Sequence, residues 1–232
     1  MSSRTLKPVT HVIFDNDGLL LNTEAFYEEA ISEVTNRYGK GKFTWETKLK
    51  QMGRAQEDAY RLIIEEYSLP LSVEQLVKQT DAILMGRFPD SQLMPGAERL
   101  IRHLHKHNIP MGLCTASKEK YFKLKTSKHQ ELYQLFNPIV CIPQEPTIKV
   151  GKPHPDCYLL CASRFPPPAP KPSSVLVFED SVNGVLAAVR AGMQVVMVPD
   201  PRMDNAHRLA ATQSLNSLLD FKPEAFGLPP FQ

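Results

Sequence analysis

Short apolar runs punctuate the chain at His11–Phe14, Met111–Cys114, Ile139–Ile142, Val175–Phe178 and Val195–Val198. Each is rich in Val, Ile or Phe, or otherwise apolar, and is bounded by turn or polar residues. Runs of that kind suit strands buried on both faces of a parallel sheet. Longer stretches with helical spacing lie between them. Ala97, Leu100, Ile101 and Leu104 predict a helix that starts after Pro95 and stops near Asn108 and Pro110. Val185, Ala188 and Val189 predict another, with Gly192 as its C-terminal stop. From residue 96 onward, helix and strand alternate, which predicts an α/β fold with a doubly wound, Rossmann-like parallel sheet.

One stretch breaks this rhythm. Between the first strand and Met94 no segment reads as a strand, and a crossover needs far fewer residues than lie there. Phe26, Ala30, Ile31 and Val34 form one amphipathic pattern, Tyr60, Ile63, Ile64 and Tyr67 a second, and Val73, Leu76, Val77, Ile83 and Leu84 a third. Residues 20–92 are therefore expected to form a small inserted α-helical domain, with 1–19 plus 93–232 as the core domain; a long helical crossover packed on the sheet is the other reading. The run Pro166–Pro172 cannot be helical and is expected to bridge a helix to the next strand.

Composition narrows the function class. Lys and Arg total 27 against 25 Asp and Glu, a formal charge of +2, which argues against binding a nucleic acid polymer. No apolar run approaches the ~20 residues of a membrane span. Met1–Pro8 has no apolar core and reads as no secretory signal. With that, four cysteines in 232 residues are expected to be reduced thiols, and the protein to be cytoplasmic.

Candidate chemistry gathers at strand ends. In Phe14-Asp15-Asn16-Asp17-Gly18, extended geometry puts Asp15 and Asp17 on one side, past the carboxyl end of a strand, where open α/β sheets bind ligands. Two close carboxylates need a cation or proton between them, and a hard dication such as Mg²⁺ fits an oxygen-only set. Thr115 ends another strand, where its hydroxyl and the N–H groups of a helix start suit a phosphate oxygen. In Gly151-Lys152-Pro153-His154-Pro155, the prolines stiffen the backbone around a lysine that can neutralise phosphate or a carboxylate. Glu179 and Asp180 end a further strand and open a helix through Asn183 and Gly184. Each motif alone admits a plainer reading: a solvated Asp-x-Asp turn, an N-cap by Thr115, Ser117, Asp180 or Ser181, an exposed lysine beside a turn. Together they describe one edge suited to phosphate and metal. His103 and His107, spaced i,i+4, are better read as a solvated helix face than as metal ligands.

In this order, the four motifs resemble the haloacid dehalogenase (HAD) superfamily across almost the whole chain. Leu19–Glu24 is similar to the subgroup with a small helical cap after the first strand. Met94–Glu98, Val177–Gly184, Ala191–Pro199 and Phe221–Pro229 resemble its pseudouridine-5'-phosphatase branch. The resemblance implies a Mg²⁺-dependent phosphatase acting on a small phosphorylated metabolite, with pseudouridine 5'-phosphate as a candidate substrate. It implies Asp15 as nucleophile and Asp17 as general acid/base. Thr115, Ala116 and Lys152 would hold the phosphoryl group, and Glu179 and Asp180, with Asp15 and the Asp17 carbonyl, would hold Mg²⁺. An aspartate with an ordinary pKa of about 3.9 is ionised at neutral pH and ready to attack phosphorus. A monomer is expected. A sugar phosphomutase of the same fold, or a non-catalytic paralogue that binds ligand or protein, are the alternatives. Asn16, Asn22 and Ala116 depart from the residues usual in the family, and Pro143–Thr147 lacks its acidic pair.

Overall fold

The computed structural model describes residues 6–51 and 56–232; Met1–Thr5 of the N-terminal stretch read for a signal lies outside them. In chain order the elements are β1 (His11–Phe14), α1 (Glu24–Arg37), α2 (Trp45–Gln51), α3 (Gln56–Glu66), α4 (Val73–Arg87), α5 (Ala97–Lys106), β2 (Met111–Thr115), α6 (Glu119–Lys125), α7 (Gln130–Tyr133), β3 (Ile139–Cys141), α8 (Asp156–Ser163), β4 (Val175–Glu179), α9 (Val182–Arg190), β5 (Gln194–Met197) and β6 (Gln213–Ser214). The chain divides into two compact units, Met1–Asn22 with Gln92–Gln232, and Thr23–Ser91.

In the larger unit the strands form one parallel sheet in the order β3-β2-β1-β4-β5-β6. Chain order reverses between β1 and β4, so the crevice beyond their carboxyl ends is where such a sheet takes a ligand. Register sets that edge level: Phe14 lies beside Leu113 on one side and Phe178 on the other. Strands β2 and β4, on either side of β1, are buried throughout, as their unbroken apolar runs require. Val12, Ile13 and Phe14 are fully buried, each worth roughly 1.5–3 kcal/mol of burial. The five expected strands form within a residue or two of their expected bounds. Ile142 leaves β3 for a 3₁₀ turn that Pro143 favours. Strand β6 was not expected: Gln213 and Ser214 are polar, and they become a strand only by pairing with Val196 and Met197 of β5.

His103 departs from the solvated reading. One ring nitrogen, Nε2, lies 2.8 Å from the Pro229 carbonyl, and its ring centroid is 4.5 Å from that of Phe231, so the chain's last residues pack against this histidine. All four cysteines are buried and free. Among the described residues no helix is long and apolar enough to cross a membrane.

The smaller unit is helical. Ile31, Val34, Phe43, Tyr60, Ile63, Leu69 and Leu76 form its core, drawn from α1, α3 and α4 and the chain between. Ser72 opens α4 with a reciprocal cap, its Oγ taking the Gln75 N–H while the Gln75 side chain takes the Ser72 N–H. Lys48 of α2 is buried against Glu24 (2.9 Å) and Glu28 (2.8 Å) of α1. The three amphipathic patterns correspond to α1, α3 and α4; the short, mostly polar α2 carries no such pattern.

Candidate active site

Beyond β1 the backbone stays in register for one more residue, the Asp15 N–H donating to the Phe178 carbonyl at 3.0 Å. It then turns: the N–H groups of Leu20 and Leu21 both donate to the Asn16 carbonyl, and Gly18 takes φ 83°. A side chain at that angle would be strained, which explains the glycine. Asp15 and Asp17 emerge here, but they enter two different surroundings.

Asp15 enters a buried ionic cluster. The Lys152 ammonium donates to Asp15 Oδ1 (2.6 Å), to Glu179 Oε1 (2.7 Å) and to the Cys114 carbonyl (3.2 Å). Glu179, the last residue of β4, is 0% exposed, and both its oxygens are engaged. Tyr158 of α8 donates to Oε1 at 2.7 Å, while the N–H groups of Asp180 and Ser181 and the Ser181 hydroxyl each reach Oε2 at 3.0 Å. Gly184 in the first turn of α9 makes room: a Cβ there would stand 1.7 Å from Glu179 Oε1.

These contacts set the charges. Burial pushes Glu179 up, but Lys152, the N–H groups and Tyr158 outweigh it and hold the carboxyl below its ordinary range. Burial pushes Lys152 down, yet Asp15 and Glu179 raise it well above the ordinary lysine value, so the ammonium is permanent. Asp15 goes the other way. Burial, reinforced by Glu179 and Asp17 and opposed by Lys152, raises it to about 7. Without a metal ion, one ammonium shared with Glu179 does not offset the desolvation of Asp15.

That shortfall of positive charge bears on metal binding. Oxygens of Asp15, Glu179 and Asp180 lie within 4.8 Å of one another. An all-carboxylate set with negative charge to spare fits a hard dication of the Mg²⁺ kind. Each of the three offers one oxygen to such an ion, Glu179 from a carboxylate that its donors hold in place.

Asp17 lies in the second environment. Thr115 Oγ1 (3.1 Å) and Ser117 Oγ (2.8 Å) donate to its Oδ2, and Lys125 Nζ of α6 donates to its Oδ1 at 2.6 Å. Thr115 ends β2 and also accepts the Ser117 N–H at 3.0 Å; Ala116, between them, is exposed. Asn16, between the two aspartates, is buried away from both: its Oδ1 accepts from Tyr133 at 2.7 Å, and its Nδ2 has no hydrogen-bond partner.

The structure thus brings Asp15, Lys152, Glu179 and Asp180 together, and Asp17 with Thr115. Sequence reasoning missed Lys125 and Tyr158 and read Ser117 only as a cap. One signal for Lys125 was available: it follows the aromatics Tyr121 and Phe122 at i+4 and i+3, the spacing of one buried helix face.

A family model described as haloacid dehalogenase-like hydrolase matches residues 12–198. The chain is 48% identical over 226 residues to (DL)-glycerol-3-phosphatase 2 of Arabidopsis thaliana, covering 97% of this chain and 93% of that one. It is 49% identical over 231 residues to a Drosophila melanogaster protein named "Probable pseudouridine-5'-phosphatase", covering 100% and 99%. Among solved structures, a HAD family hydrolase from Deinococcus radiodurans with bound phosphate and sodium superposes with a TM-score of 0.78 at 22% identity, over 97% of this chain and 99% of that one, a likeness of fold. Sheet order, the aspartates beyond β1 and these near full-length matches agree that the chain belongs to the haloacid dehalogenase-like hydrolase family.

Proposed function

We propose that the protein is a Mg²⁺-dependent phosphatase that hydrolyses a small phosphomonoester through an aspartyl-phosphate. The observation that carries this reading is the separation of the two aspartates: Asp15 lies 2.6 Å from a permanent ammonium at the switch point, and Asp17 sits two residues on among hydroxyl donors. Asp15 attacks phosphorus while Asp17 gives its proton to the departing ester oxygen; Asp17 then takes a proton from the water that cleaves the acyl phosphate. Lys152 offsets charge on the phosphoryl oxygens. Ala116, exposed at the end of β2, and Thr115 are assigned to the same phosphoryl group. Glu179 holds Lys152 in place and so acts at one remove. Mg²⁺, held by Asp15 and Asp180 with the Asp17 carbonyl, would supply the charge that keeps Asp15 ionised and neutralises phosphate.

The groups at this edge can grip phosphate and metal, and none has a shape that reads a base or a sugar. We therefore assign choice of substrate to the helical insertion, residues 20–92. The two curated relatives above are nearly equal in identity and are named for different esters, glycerol 3-phosphate and pseudouridine 5'-phosphate. Both are esters of small polar alcohols, and that is the substrate class proposed.

Phosphate release from both esters, with Mg²⁺ and again after rigorous chelation, tests the reading. Turnover that disappears on chelation and returns with Mg²⁺ is expected; full activity without metal overturns it. Conversion of a sugar 1-phosphate to its 6-phosphate, dependent on added bisphosphate, would favour a mutase instead.

A further inference from the structure

Lys125 of α6 is buried against Asp17. Its side chain is 0% exposed, whereas that of Asp17, the carboxylate it meets, is 19% exposed. The substrate side of the site therefore sees Asp17, with Lys125 behind it. A lysine that gives up its hydration needs an anion and hydrogen-bond acceptors in return. Both come from the site: Asp17 Oδ1 at 2.6 Å and Ser117 Oγ at 2.8 Å. Since Ser117 passes its own hydrogen to Asp17 Oδ2 at 2.8 Å, the ammonium acts on both carboxylate oxygens, one directly and one through a hydroxyl.

From this geometry, and resting on the phosphatase reading above, we infer that Lys125 is a positioning residue that, with Ser117, fixes the Asp17 carboxyl for proton exchange with the leaving-group oxygen. The step balances: the Asp15 O–P bond forms as the ester P–O bond breaks, its electron pair goes to the departing oxygen, and the proton of Asp17 goes to that oxygen. A proton donor works only within hydrogen-bond reach of its acceptor, so a carboxyl free to rotate loses most of its effect. Lys152 differs in kind, because it faces the nucleophile and the phosphate directly.

The role is testable through the leaving group. An alkoxide cannot leave without a proton, whereas p-nitrophenolate can. The kcat/KM value reports the steps up to leaving-group departure, so it isolates this use of Asp17 from the later hydrolysis. Lys125→Met should lower kcat/KM for glycerol 3-phosphate or pseudouridine 5'-phosphate by about 10²–10³-fold. For p-nitrophenyl phosphate the fall should be under about tenfold, and Lys125→Arg should recover part of the difference. Ser117→Ala should show the same asymmetry to a smaller degree, and it carries the test if Lys125→Met does not fold. Equal losses on alkyl and aryl esters, or no loss on either, overturn the inference while leaving the phosphatase reading intact. A parent enzyme inactive on every ester with Mg²⁺ overturns that reading, and the role of Lys125 with it.

Discussion

Two buried lysines each meet one aspartate of the Asp-x-Asp pair, and their surroundings differ in charge balance. Lys152 is shared by Asp15 and Glu179, with the Asp180 carboxyl close by. Lys125 meets Asp17, and hydroxyls of Thr115 and Ser117 complete that carboxylate's donors. Carboxylates are in excess around Lys152, where Asp15 is raised to about 7 and a dication would relieve the strain. Around Asp17 the donors already satisfy both oxygens. Residues two apart in sequence thus acquire different chemistry from what packs around them: one side suits metal and phosphate, the other a proton.

The sharpest way to break this comparison is Asp15→Asn. The amide keeps the shape and removes the attacking oxygen anion, so kcat should fall on the order of 10⁵-fold with the fold intact. Near-normal turnover by a purified, sequence-verified variant would end the proposed mechanism. Next comes Lys152→Met, which leaves two buried carboxyls facing each other. Loss of one partner from a buried pair costs about 3–5 kcal/mol, and activity should drop at least about 10²-fold. Urea unfolding that shows no loss of stability would mean that Lys152 does not hold the cluster together.

Gly184→Ala addresses the Lys152 cluster through packing alone. The new methyl would overlap the Glu179 carboxylate, and forced repacking should cost about 1–3 kcal/mol, or roughly 2–12 °C in Tm. An unchanged Tm with full activity would show that Glu179 can move without consequence. The last effect is in pH and is read as a slope. With metal removed, folded Asp15 keeps its proton up to about 7, whereas in the unfolded chain it loses it near the ordinary 3.8. Between those values the native state binds more protons, so this group's contribution makes stability fall as pH rises, by at most about 1.4 kcal/mol per pH unit. The difference in unfolding free energy between the parent and Asp15→Asn should follow that slope from pH 4 to 7 and flatten above it; a flat difference throughout would show that Asp15 is not perturbed. Adding Mg²⁺ should remove the slope.

The sequence by itself determined the sheet and the identity of its edge groups. Apolar runs as dense as Val175–Phe178 suit strands buried on both faces of a covered parallel sheet, and Asp15, Asp17, Thr115 and Asp180 follow or end such runs, so local pattern places them at strand ends, while Lys152 is marked by the prolines beside it. Tertiary structure decided the rest. Between residues 118 and 128 stand Lys118, Lys120, Lys123, Lys125 and Lys128, alike in composition, and only the packing of α6 through Tyr121 and Phe122 turns Lys125 inward. Strand β6 has no apolar run and forms because β5 offers it a free edge. Glu179 and Asp180 are adjacent acids, yet one is locked by Lys152 and Tyr158 from 27 and 21 residues away while the other stays part-exposed. The ionisation of Asp15 belongs with what the tertiary structure decides. Residue type fixes which proton a side chain can carry, but burial and the charges of distant residues fix when it is released, and those exist only once the chain is folded.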